Sequence, residues 1–335
     1  VIRYVEDVSP GDATGRVAEI YGQIRRDFGA VPDPFLLHSA SPRLLGGVWA
    51  VCRETLVAGR APRHLTELVA TVVSQINSCP YCVDAHTTML RADGRGALAG
   101  SLLVGEKREG VDGETRDLAR WAAATRSPGA AVLADPPFDA ELAPELIGTA
   151  AAFHYINRMV TILASPSPFP GPRALRPLTT RIAPRLFARA VKRPKTAGDS
   201  LRFVEQAELP EDMGWAKGSP PVADAFAGFT AVIEDEVQEA MGSDARAVVQ
   251  DRVGAWSGED QELSRAWVEP AVTELSEPEA PAARLGLLAA LAPHQIDDAA
   301  VAAYRAHEPA DRRLLALLAW SSIQAARRVG TWCAS

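Results

Sequence analysis

Long apolar runs are missing from this chain. No hydrophobic stretch approaches the roughly 20 residues that a membrane-spanning helix requires, so the sequence argues against a membrane protein. No basic n-region followed by an apolar h-region opens it, so no signal peptide is visible; a start at Val1 reads as a trimmed chain whose leader, if any, is lost. Cysteine is scarce. Four in 335 residues are too few to staple a secreted domain, and two of them share one motif, which fits a reducing cytoplasm. Positive charge is not in excess either. The formal net charge of −7 argues against nucleic acid as the main partner. β-branched runs are few while alanine, leucine and arginine abound, so the expected fold class is all-α.

What is present is concentrated between Glu67 and His86, in E-L-V-A-T-V-V-S-Q-I-N-S-C-P-Y-C-V-D-A-H. Leu65, Leu68, Val69, Val72, Val73 and Ile76 recur at three- and four-residue steps and mark one buried helix face. Asn77 and Ser78 break that pattern, and Pro80 suits the first position of a new helix. Cys79 then falls at the cap and Cys82 in the first turn, where amide N–H groups favour a thiolate. His86 follows Cys82 by four residues, on the same face. Glu67 precedes the break by roughly 15 Å of helix and His86 follows the cap by roughly 10 Å. If the helices fold back on each other, a Glu67–His86–Cys82 relay is expected: the carboxylate orients the imidazole and the imidazole takes the thiol proton.

Two other readings of the thiol pair are weaker. A structural zinc site needs further ligands, and only Cys52 and Cys333 remain, each alone in a helical segment. A glutaredoxin-like C-P-Y-C follows a β-strand, whereas this one follows a long helix. Cys52 and Cys333 read as packing residues. So do most of the six histidines, although His154, near Tyr155, Asn157 and Arg158 on a late helix, is a candidate pocket residue. Tyr81, between the cysteines, is another.

The string E-x11-C-x2-C-x3-H, carried by Glu67, Cys79, Cys82 and His86, resembles the signature of the alkylhydroperoxidase D-like branch of the carboxymuconolactone decarboxylase superfamily. The resemblance is clearest over roughly residues 30–165. It implies an all-helical fold, oligomeric assembly, and peroxidase or disulfide-reductase chemistry with no metal, haem or other cofactor. It also implies a dithiol reductant, such as a lipoyl group or a peroxiredoxin partner. The expected substrate is an organic hydroperoxide. Cys82 is expected to attack it and become a sulfenic acid, which Cys79 then resolves to a disulfide; the reverse order, with Cys79 attacking first, is the alternative, because a cap position also lowers a thiol pKa. The alternatives are a disulfide reductase or redox sensor acting on a protein or dithiol, and a non-redox carboxymuconolactone decarboxylase-like enzyme. The latter has no need of two thiols.

The chain divides by composition. Residues 1–165 hold the thiol hairpin, from about Arg63 to Ala92, among helices near Gly15–Phe28, from Ser41, Gly113–Thr125 and Glu141–Leu163. Residues 166–218 read as a linker: S-P-S-P-F-P-G-P ends at Pro172, and a basic run extends from Arg173 to Lys195, best taken as a solvated face. Residues 219–335 read as a degenerate repeat of the first unit. The segment Gly148–Leu163 parallels Leu315–Gly330, and S-P-R-L-L at Ser41 parallels S-P-P-V-A at Ser219. The second thiol pair is expected around Asp244–Asp260, which holds no cysteine.

Overall fold

A computed structural model describes residues 1–103, 112–168 and 176–334, with the side chains of 176–182 and 186 outside that description. The fold is all-α, and among the described residues the only β pairing is a single bridge between Ile2 and Ala164. The first half comprises α1 (Gly15–Phe28), α2 (Asp33–Leu36), α3 (Pro42–Cys52), α4 (Arg63–Ile76), α5 (Pro80–Ala92), α6 (Gly96–Leu103), α7 (Gly113–Ala124), α8 (Ala131–Ala134) and α9 (Ala143–Leu163). After α10 (Arg176–Lys192) come α11 (Pro220–Glu236), α12 (Ser243–Ala255), α13 (Glu269–Val272), α14 (Glu279–Leu291), α15 (Asp298–Arg305) and α16 (Asp311–Cys333).

The centre is built from α9 and α16, which pack on each other. Nearly every residue of α9 is buried, its polar Glu145, His154, Asn157 and Arg158 included, so neighbouring helices enclose it on all sides. Against α9 lies α4, and α5 folds back on α4. The second half repeats this layout: α14 packs on α16, and α15 folds back on α14. Like also pairs with like at α3 and α11, each preceded by a serine cap with proline at its start. By packing, the counterpart of the thiol hairpin is therefore α14–α15, and the sequence expectation of Asp244–Asp260 is corrected. That segment is largely α12, which supports α14 and α16. Periodicity in Ala/Leu-rich helices marks buried faces but does not say which helix occupies which place. The true counterpart also lacks cysteine.

The α3–α11 contact depends on Gly47, and the neighbouring Gly46 lets the Leu201–Phe203 turn approach α3. A Cβ on Gly47 would stand 2.5 Å from Phe229 Cδ2 and 3.2 Å from its Cα, and one on Gly46 would meet the Phe203 carbonyl. Gly47→Ala is expected to destabilise the fold by about 1–3 kcal/mol through overpacking, read as a lower urea midpoint at unchanged slope.

At the end of α3 the chain takes a π-helical turn, Arg53–Val57. Arg53, buried, donates to Asp27 at 2.7 Å and Glu54 at 2.7 Å. Glu54 in turn accepts the Gly198 N–H at 2.7 Å, which fastens the segment after α10 onto the first half. Of the expected linker, residues 169–175 lie outside the described residues, and so do the side chains of Arg176 and Arg181. Arg189, Lys192 and Arg193 line a shallow surface hollow, and α10 itself packs on α5 and α1. No helix among the described residues is long and apolar enough to cross a membrane.

Candidate active site

The hairpin geometry brings Glu67 and His86 together. Glu67 is fully buried on α4, and its Oε2 lies 2.6 Å from His86 Nδ1 on α5. Arg63, one turn earlier, donates from Nε to the other oxygen, Oε1, at 2.7 Å. Burial works to raise the Glu67 carboxyl, but Arg63 and then His86 outweigh it and hold the group below its ordinary value. With Nδ1 engaged by a carboxylate, Nε2 is the His86 nitrogen left for chemistry. Phe153 of α9 meets the ring edge-on, with centroids 4.5 Å apart at 89°, and fixes its plane.

Both sulfurs are buried thiols at the start of α5. Cys79 is the cap residue and Pro80 the first helical residue. The Cys82 thiol donates to the Cys79 sulfur and lowers the Cys79 pKa despite burial, helped by the Cys82 amide, Thr161 and Asn157. Cys82 moves the other way: burial first, then its bond to Cys79, push it well above the ordinary thiol range. The two thiols therefore titrate as a coupled pair in which Cys79 is the first to lose its proton. An ultraviolet titration of thiolate absorbance checks this: the midpoint should fall below the ordinary thiol value in the native protein, and that early step should vanish in Cys79→Ser.

The sulfurs face different surroundings. Cys82 and His86 line one apolar cavity, with Phe35, Trp49, Leu56 and Phe153 among its walls. Its volume of about 40 Å³ admits only a few water-sized groups. The π-helical turn contributes Leu56 and Val57 to the cavity, and α2 contributes Pro34 and Phe35. Tyr81 also lines it, and its hydroxyl accepts the Asp33 N–H at 3.2 Å, tying α2 to α5. Burial pushes the Tyr81 phenol up, so it stays neutral. His154 does not line this cavity. Its Nδ1 lies 3.0 Å from Asn77 Nδ2 and its Nε2 2.9 Å from Thr125 Oγ1, so it braces the turn before Cys79 instead.

Sequence reasoning missed several residues here. Arg63 was readable, because it stands one helical turn before Glu67. Phe153, Asn157 and Thr161 sit far away in the chain, and only packing brings α9 against the hairpin. Cys52 lines the Cys82 cavity too, but burial pushes its thiol up to about 12, so it stays protonated.

Residues 42–97 match the carboxymuconolactone decarboxylase family. Across the whole chain, the protein is similar to one from Mycobacterium tuberculosis named alkyl hydroperoxide reductase. The two are 39% identical over 331 residues, which is 99% of this chain and 94% of the relative. The chain belongs to the carboxymuconolactone decarboxylase superfamily, in its alkylhydroperoxidase D-like branch. The family match spans α3, α4 and α5 and so contains Glu67, Cys79, Cys82 and His86. In this member of the superfamily the second half is part of the similarity, since the relative is aligned over nearly its full length.

Proposed function

We propose that the protein is a thiol peroxidase that reduces organic hydroperoxides through Cys79 and Cys82, with Glu67 and His86 as a proton relay. The observation that carries this reading is the placement of Cys82 and His86 on one apolar cavity, with His86 held by Glu67 at 2.6 Å. The name of the Mycobacterium tuberculosis relative supports it. The Cys82 proton passes to Cys79, and the Cys82 thiolate attacks the distal peroxide oxygen. The O–O bond breaks, Cys82 becomes a sulfenic acid, and the alkoxide takes a proton from His86. The Cys79 thiol then gives its proton to His86 and, as a thiolate, attacks the Cys82 sulfur. The S–O bond breaks, water leaves after protonation through His86, and the disulfide remains. A dithiol returns the pair to the reduced state. The apolar walls favour an alkyl over a charged peroxide.

Under this proposal residues 1–165 carry the chemistry. Residues 219–335 supply the helix face that covers α9, a role for the unit without thiols. Homo-oligomeric assembly and a cytoplasmic setting belong to the same proposal. The test is intact-protein mass after one equivalent of cumene hydroperoxide. A loss of two hydrogens, confined to the Cys79–Cys82 peptide, supports the reading; an unchanged mass with unchanged thiol count rejects it.

A further inference from the structure

A second, larger cleft of about 450 Å³ adjoins the turn that leads into α5, between α9 and the segments 260–263 and 291–294. Asn77, Ser78, Asn157 and Thr161 line it. Thr161 reaches the Cys79 sulfur and Asn157 reaches both sulfurs, so Cys79 lies just beneath this cleft. Cys82, in contrast, faces the apolar cavity.

Two arginines line the same cleft. Arg126 is already engaged: Nη2 meets Asp260 Oδ1 at 2.7 Å, and Nη1 meets the Ile76 carbonyl at 3.2 Å. Arg158 is different. It is 5% exposed, and its hydrogen bonds among the described residues go to carbonyls, from Nε to Ala290 at 2.7 Å and from Nη1 to His154 at 2.6 Å. No carboxylate among the described residues forms an ion pair with it. Burial and then Arg126 bring it down to about 9, so it is still charged at neutral pH. Its guanidinium also lies over the Trp256 ring, 5.7 Å from the centroid, but a buried cation without a counter-charge is costly, and an anion entering the cleft offsets that cost.

We propose that this cleft binds the carboxylate of a small dithiol reductant and directs its thiol to Cys79, so that peroxide and reductant reach the sulfur pair from opposite sides. The redox part of this inference rests on the peroxidase reading; the anion site does not. The reductant thiolate attacks Cys79 Sγ, the Cys79–Cys82 bond breaks, and Cys82 leaves as a thiolate protonated through His86. The second thiol of the reductant loses its proton to water and attacks the reductant sulfur of the mixed disulfide. Cys79 departs as a thiolate, and the reductant leaves as a cyclic disulfide.

The test compares dihydrolipoate with dihydrolipoamide, which share one dithiol and differ in the charged terminus. The protein disulfide is first formed with diamide, so that no peroxide step is involved. Dihydrolipoate at sub-saturating concentration is expected to reduce the disulfide about tenfold faster or more. The advantage should shrink as salt is raised. Arg158→Gln is expected to erase it through KM. Should that variant not fold, calorimetric titration of the native protein with oxidised lipoate and lipoamide decides the matter, with lipoate expected to bind about tenfold more tightly or better. Equal rates for the two dithiols, together with equal binding of the oxidised forms, overturn the proposal. Lipoate preference in a protein whose thiols ignore hydroperoxides upholds the anion site and sinks the peroxidase reading instead.

Discussion

Cys82→Ser is expected to reduce hydroperoxide consumption to the uncatalysed background. Cys82 is the thiol of the active pair that shares the apolar cavity with His86, so no other sulfur of the pair meets the peroxide there. Cys79 does not line that cavity, although it is the more acidic thiol. Acidity and position thus fall on different residues. Cys79 is the thiol that ionises first, and under the proposed mechanism a proton moved from Cys82 onto Cys79 makes Cys82 the nucleophile. Steady-state peroxide loss checks the expectation. Near-native turnover in Cys82→Ser would mean that Cys79 or another group reacts first.

Glu67→Gln is the second large effect expected, on rate and on stability together. Loss of acid–base help predicts a fall of about 10²–10⁴-fold in kcat/KM, and His86→Ala should fall in the same range. Stability suffers because Arg63 is left as a buried cation without its carboxylate, at a cost of about 3–5 kcal/mol. The pH dependence has a definite sign. The Glu67 carboxyl is lowered in the folded state, so its stabilisation is complete above the unfolded value of about 4.3 and is lost as pH falls through the lower folded value. Denaturant curves of the native and Glu67→Gln proteins should therefore lie far apart at neutral pH and converge in acid. A gap of constant size across that range would show that the Arg63–Glu67–His86 chain contributes no charge interaction.

Local signals make the hairpin legible in sequence. Helical period up to Ile76, a break at Asn77–Ser78, and Pro80 at a helix start are each features of a few adjacent residues, and the four chemical positions ride on them. Whatever depends on contact between distant helices is not legible. The roles of Asn157 and Thr161 come from α9 lying across the hairpin, and helical periodicity says only that α9 is buried. His154 illustrates the limit: its neighbours in sequence suggest the pocket, yet rotation of α9 turns it toward Asn77 and Thr125. The repeat is visible in its first and last helices, where capping serines and long apolar stretches recur. Its middle is misplaced because chain position sets the register read from sequence, whereas packing gives the Ala/Leu-rich α14, rather than the polar α12, the place against α16 that α4 holds against α9.

The order of events at the sulfur pair is tested most directly by trapping the sulfenic acid. Cys79→Ser removes the resolving thiol, so oxidation should stop after one equivalent of hydroperoxide. Dimedone added at that point, followed by peptide mass mapping, should label Cys82 stoichiometrically. Label on Cys52, or none on Cys82 while peroxide is still consumed, would contradict the proposed attack within the cavity shared with His86.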